Sequence, residues 1–180
     1  PLGVGDAKFH RGGDAGPTDT VYLGAFDRSA LQAVGGFDDT LTRNQDYELN
    51  VRLREAGGTV WFDPEIEVVY TPRSGLLALW RQYYDYGRWK RRVVRMHPDS
   101  LRWRQAGPPI LVIGLVGSVV LVATPGRALG AAVIGVYICA LGAAGVYEAV
   151  ASRDAAGILA GPAIAVMHIA WGVGFLTGRT

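Results

Sequence analysis

The charges of this 180-residue chain are too unevenly divided for a single soluble domain: 29 of 34 charged side chains lie in residues 1–106, and five in the last 74. Apolar runs at 107–124, 128–150 and 157–176 fill that second part. A helix needs about 20 apolar residues to cross the hydrocarbon core of a bilayer. The second and third runs have that length, and the first suffices if it crosses with little tilt. As core helices of a soluble protein the three would leave no polar outer face. The expectation is a soluble segment joined to about three transmembrane helices. A 49% hydrophobic composition excludes global disorder, and a single cysteine, Cys139, excludes a disulfide scaffold.

Small residues inside the runs (Gly114, Gly117, Gly130, Gly135, Gly142, Gly145, Gly172, Gly174) allow close helix approach in lipid. Pro162 is expected to kink the third span, and His168 to stay neutral and bond to a neighbouring helix. Residues 88–104 carry a net charge of +6, against −5 for residues 1–87. The positive-inside rule then places the basic segment and the domain before it in the cytoplasm, at the inner or plasma membrane, and three spans leave Thr180 outside. Trp89 and Trp103 fit an interfacial aromatic belt. Beside a span, the basic run points to anionic lipid rather than nucleic acid.

In the first part, Val21–Phe26 is expected to be a strand, Asp27–Ala33 a short helix, and Gly35–Gly36 a loop with φ angles that larger residues resist. Thr42 and Gln45 match a capping box for a helix that Gly57–Gly58 close. Strands are expected at Thr59–Phe62 and Glu65–Tyr70, joined by an Asp63-Pro64 turn. Pro72 opens a longer helix with an apolar stripe of Leu76, Trp80, Tyr83 and Tyr84, which suits either an interfacial helix or one packed on the domain.

Asp46 and Glu48 are the main candidates for chemistry. Carboxylates in a first turn are favoured by the helix dipole alone; held beside a glycine-rich loop, one can also act as a general base. A divalent cation fits them less well, since positions i and i+2 point apart on a helix. Arg81, Arg88 and Lys90, with Gln82 and Trp89, form a second group: either a juxtamembrane charge run or a cradle for the diphosphate of a nucleotide sugar or lipid carrier.

The segment GAFDRSALQAVGGFDDTLTRNQDYELNVRLREAGGTVWFDPEIEVVY resembles the acceptor half of a family 2 inverting glycosyltransferase with a GT-A fold. It carries G-x-F-x-R, V-G-G-F-D, then D-x-E-L-x-x-R-L, then A-G and a strand ending in Y. With GVGDAKF, DTVYLGAF, RSGLLALWRQYYDYGRWK and HP, the chain is more similar still to succinoglycan-type exopolysaccharide glycosyltransferases. The resemblance implies an α/β partial GT-A domain over 1–74, an amphipathic interfacial helix and basic segment over 75–106, and transmembrane helices over 107–180.

It also implies the chemistry. Asp46 would deprotonate an acceptor hydroxyl, which displaces the nucleotide diphosphate with inversion. Gly35, Gly36, Phe37 and Asp38, with Gln45 and Glu48, would shape the loop around donor sugar and acceptor. Arg81, Gln82, Arg88 and Trp89 would lie at the membrane-side rim. The implied partners are a nucleotide-sugar donor, a lipid-linked or glycan acceptor and membrane lipids, with no nucleic acid. Magnesium or manganese would be bound by the family's N-terminal half, whose D-x-D does not occur in this sequence. A chain that starts at Pro1 is thus expected to be the C-terminal piece of a longer enzyme, inactive alone. The alternative is a non-catalytic membrane remnant or interaction subunit that kept the acceptor half.

Overall fold

The computed structural model describes residues 13–21, 23–67, 69 and 75–179. Over these the protein is mostly helical, with one small sheet in which β1 (Gly16–Pro17) pairs antiparallel with β2 (Trp61–Phe62), Gly16 opposite Phe62. The expected strand at 21–26 is absent among the described residues of that segment. Leu23 takes a left-handed φ of 51°, which breaks an extended run, and β2 is already paired with β1. The strand expected at 59–62 narrows to β2. After Asp63, residues 65–67 turn instead of extending: the Asp63 carboxylate accepts the Glu65 amide at 3.0 Å, and its carbonyl the Ile66 amide at 3.3 Å. Val68, Tyr70 and Pro72 lie outside the described residues.

Helix α1 (Arg28–Ala33) starts where the Asp27 side chain accepts the Ala30 amide at 3.0 Å. It ends at Gly35 and Gly36, with φ of 82° and 75°, the left-handed turn expected of them. Helix α2 (Gln45–Glu55) does not use the expected capping box. Thr42 lies two residues outside the N-cap, Asn44, whose own φ is 60°, and Gln45 folds back to donate to the Leu41 carbonyl. The other end closes as expected, with Gly57 at φ 85° and the Gly58 amide bonded to the Leu53 carbonyl at 2.9 Å.

Helix α3 (Leu76–Met96) brings Trp89 and Val93 of its second half to buried residues of α2. Leu41, Tyr47, Val51, Trp89 and Val93 form the shared core. Trp89 is only 9% exposed, so it is a core residue and not part of an interfacial belt, whereas Trp103 is 87% exposed and fits one. Buried polar groups stitch this core to its surroundings. The Tyr47 hydroxyl donates to the Ser100 carbonyl at 2.8 Å, and the Asn50 amide to the Thr20 hydroxyl at 3.1 Å.

Helices α4 (Trp103–Val122), α5 (Arg127–Ser152) and α6 (Ala160–Thr177) follow, the last led by a 3-10 turn over Ala155–Leu159. The segments Trp103–Val122, Arg127–Ser152 and Ala155–Thr177 are each long and apolar enough to cross a membrane. Glycines mark their crossings. A Cβ on Gly130 would stand 2.5 Å from the Ser118 carbonyl oxygen, one on Gly145 2.7 Å from that of Ile158, and one on Gly172 2.5 Å from that of Pro108. Gly114, Gly117, Gly135 and Gly142 face open space instead. Pro162 stands in the first turn of α6, where its missing N–H has no intrahelical partner to lose, so it does not force the expected kink. His168 meets the Tyr137 hydroxyl of α5 at 3.4 Å, as expected.

The end of α6 departs from a plain three-span arrangement. Gly172 packs on Pro108, near the start of α4, and a Cβ on Gly174 would run into the Tyr84 carbonyl of α3. The Arg91 guanidinium of α3 donates to the Leu176 carbonyl at 2.6 Å. Residues 172–178 therefore lie on the same side as the basic segment, not opposite to it as three full crossings require. Thr180 itself lies outside the described residues.

Candidate functional site

A cleft of about 420 Å³ opens where the loop after α1 meets α2 and the end of α3. Gly35, Gly36, Phe37 and Asp38 form one wall; Glu48, Arg52, Met96 and His97 form the other. No atom lies within 4 Å of a Cβ placed on Gly35 or Gly36, so these glycines serve the backbone turn and leave the wall open. Phe37 is 47% exposed and stands edge-on to Phe26, with ring centroids 6.1 Å apart. The Asp38 carboxylate accepts the Thr40 hydroxyl at 2.7 Å and the Thr40 amide at 2.8 Å. These two bonds hold its pKa below the ordinary aspartate value, so it is a fixed negative charge.

The pair Glu48–Arg52 organises the loop. Helical spacing of i and i+4 puts both on one face of α2. Glu48 is 1% exposed, and its two oxygens accept from the Arg52 guanidinium, each at 2.7 Å. The same guanidinium donates to the carbonyls of Val34 and Gly36, the latter at 2.7 Å. The hydrogen bonds to Glu48 raise the Arg52 pKa further, so the fork is permanently charged. One carboxylate thus fixes an arginine that fixes the glycine turn. His97 completes the wall, with Nε2 3.1 Å from Glu48 Oε1 and Nδ1 3.2 Å from Glu55 Oε2.

Asp46 is on the same helix but points elsewhere. Two residues along a helix is a rotation of about 200°, so burial of Glu48 leaves Asp46 exposed in the first turn, on another face of α2 from the cleft wall. Gln45 is half-buried and engaged with the Leu41 carbonyl. The α3 group does not line the cleft. Arg81 is exposed, Gln82 donates to the Tyr86 hydroxyl at 2.8 Å, and Arg88 lies 3.8 Å from Asp85 and over the Trp89 ring. Lys90 is buried, with its ammonium 3.5 Å from the centre of the Tyr47 ring and donating to the Ser100 carbonyl at 3.2 Å. Burial lowers its pKa to about 7, against the attraction of Asp19.

Sequence reasoning missed Arg52, Met96 and His97 as site residues. Arg52 carries a usable signal, because it is the arginine of D-x-E-L-x-x-R-L, four residues after Glu48. His97 lies 49 residues from Glu48, and no local pattern links them. Among the described residues no group of three or more His, Cys, Asp or Glu side chains could hold a metal ion. Glu48 is committed to Arg52, so Asp46 and Glu48 do not form a cation site either.

No family model matches the chain, and no solved structure matches it. The chain is similar to the succinoglycan biosynthesis protein ExoA of Rhizobium meliloti (strain 1021), with 34% identity over 174 residues. The match covers 97% of this chain and 52% of that protein, so the chain spans about half the length of the curated relative it matches. The resemblance to succinoglycan-type proteins carried by VGGFD, DYELNVRL and RQYYDYGRWK thus extends over nearly the whole chain.

Proposed function

We propose that this chain is the acceptor-side half of a membrane-bound glycosyltransferase of exopolysaccharide synthesis, with a GT-A architecture completed by residues outside it. The observation that carries the reading is the likeness to a succinoglycan biosynthesis protein over 97% of the chain. In this reading the cleft faces the cytoplasm and receives the donor sugar of a nucleotide sugar, while the hydroxyl of a lipid-linked or glycan acceptor approaches at the exposed start of α2, where Asp46 stands. The exposed Asp46 carboxylate takes the hydroxyl proton. The acceptor oxygen bonds to the anomeric carbon from the face opposite the nucleotide diphosphate, whose bond breaks as it leaves, and the configuration inverts.

The other residues position rather than react. Glu48 has both oxygens committed to Arg52, which makes it a poor base and a good anchor. Arg52 holds the Gly35–Gly36 turn, and Phe37 offers an apolar face on which a sugar ring can lie. The magnesium or manganese ion implied by the resemblance is, in this reading, held by the D-x-D of the family's N-terminal half. It would neutralise charge on the leaving diphosphate.

The test is transfer from a panel of radiolabelled nucleotide sugars to endogenous lipid acceptor, in membranes from cells expressing the whole reading frame that contains this chain. Label in the lipid fraction, dependent on that reading frame, is the expected result. No transfer from any donor, with the protein present at normal level, would turn the assignment to a non-catalytic membrane protein.

A further inference from the structure

A second cleft, about 590 Å³ in volume, lies between the last turns of α3 and α6, lined by Arg91, Arg95, Leu176, Thr177, Gly178 and Arg179. We propose that it binds the phosphate group of a membrane lipid. Three arginines converge there with no carboxylate among the lining residues. Most other cations of the basic run are already engaged. Arg102 and Arg104 reach Asp19 at 3.6 and 2.9 Å, Arg92 donates to the Thr40 hydroxyl, Arg88 faces Asp85, and Lys90 is buried on Tyr47. Arg91 spends one nitrogen on the Leu176 carbonyl, which orients its fork. Arg95 and Arg179 make no ion pair or hydrogen bond among the described residues.

Like charges gathered without a counterion repel one another, and planar guanidinium forks match the oxygens of a phosphate. The cleft also has the right height in the molecule. It stands where the end of α6 meets the basic helix, close to the start of α4, so its occupant sits at the surface of the bilayer with its chains beside the apolar helices. The site stands on this geometry alone, whether or not the chain takes part in sugar transfer.

Native mass spectrometry of the full chain released from detergent tests it, with dioctanoyl phosphatidic acid, dioctanoyl phosphatidylcholine and inorganic phosphate as probes. The expected result is retention of phosphatidic acid in preference to phosphatidylcholine. Arg95→Gln with Arg179→Gln should weaken it by about 10-fold or more, as loss of charge-assisted hydrogen bonds implies. Arg127→Gln with Arg153→Gln, which removes the same charge elsewhere, should leave it unchanged. Arg95→Lys with Arg179→Lys, which keeps charge and loses the forks, should fall between. An unchanged melting temperature of each variant shows that the fold is intact. Competition by inorganic phosphate at equal concentration supports the phosphate site and assigns it to a soluble anion. Equal retention by wild type and the Gln pair, or equal retention of phosphatidylcholine, overturns the proposal.

Discussion

Replacing Gly172 by alanine sets two opposite effects against each other. In a helix interior alanine is favoured over glycine by about 1 kcal/mol. At Gly172 the new Cβ would stand 2.5 Å from the Pro108 carbonyl oxygen and 2.7 Å from a Val112 methyl, where real Cβ atoms do not approach closer than 3.0 Å. The methyl can rotate away, but the carbonyl is backbone and cannot. Helix α6 must withdraw from α4 by at least 0.5 Å, the difference between 3.0 and 2.5 Å. A radial gap of about 0.5–1 Å forfeits a quarter to a half of each dispersion contact along the crossing, and overpacking of this kind costs roughly 1–3 kcal/mol. Set against the propensity gain, the clash leaves a net loss of up to about 2 kcal/mol. At Gly114 or Gly117, with nothing within 4 Å, the propensity gain stands alone. A fluorescent fusion, heated in detergent and passed over a sizing column, measures the difference. At about 2–4 °C per kcal/mol for a chain of this size, Gly172→Ala should melt a few degrees below wild type, and Gly114→Ala at or slightly above it. Gly172→Ala melting at or above wild type would refute the close crossing.

Further expectations follow from other contacts. Glu48→Gln leaves the Arg52 charge without its bidentate partner, which costs about 3 kcal/mol, frees the Gly35–Gly36 turn, and should speed proteolytic cleavage there in a limited digest. Burial lowers the Lys90 pKa to about 7 in the folded chain, below the ordinary lysine value of 10.5, so between these pH values the unfolded chain binds more protons. Stability should therefore rise with pH across that window and be lowest below pH 7, and Lys90→Met should flatten the slope; melting temperatures measured between pH 6.5 and 9.5 check the sign. A reporter fused after residue 180 should score on the same side of the membrane as one fused before residue 13, because Leu176 bonds to Arg91.

Composition made the second half legible: long apolar runs with few charges predict long apolar helices, and the three that form are each long and apolar enough to cross a membrane. It did not show where α6 ends, because hydropathy reports the solvent a helix prefers and not which helix it crosses. The contact that sets α6, Gly174 on Tyr84, joins residues 90 apart. The Gly35–Gly36 turn was legible because positive φ is a local property. The absence of a strand among the described residues of 21–26 was not legible, since an apolar run becomes a strand only if a neighbour offers an edge, and β2 offers it to Gly16–Pro17. Of the residues that the motif and the resemblance implied, Gly35 through Asp38 and Glu48 line one cleft, and Gln45, Asp46 and the α3 group do not. Trp89 was misjudged because an aromatic beside arginines has the same local signature in a bilayer interface and in a core.

The central claim divides labour on one helix: Asp46 reacts, while Glu48 and Arg52 hold the loop. The most direct test is the sugar-transfer rate of the whole enzyme in membranes at saturating donor, for wild type, Asp46→Asn and Glu48→Gln, with donor binding measured alongside. The account predicts that Asp46→Asn loses transfer by about 10²–10⁴-fold, the usual contribution of a general base, with donor binding and protein level unchanged. It predicts that Glu48→Gln loses donor affinity and stability while keeping measurable turnover. Wild-type transfer by Asp46→Asn would contradict the claim and leave Asp46 a helix-start carboxylate.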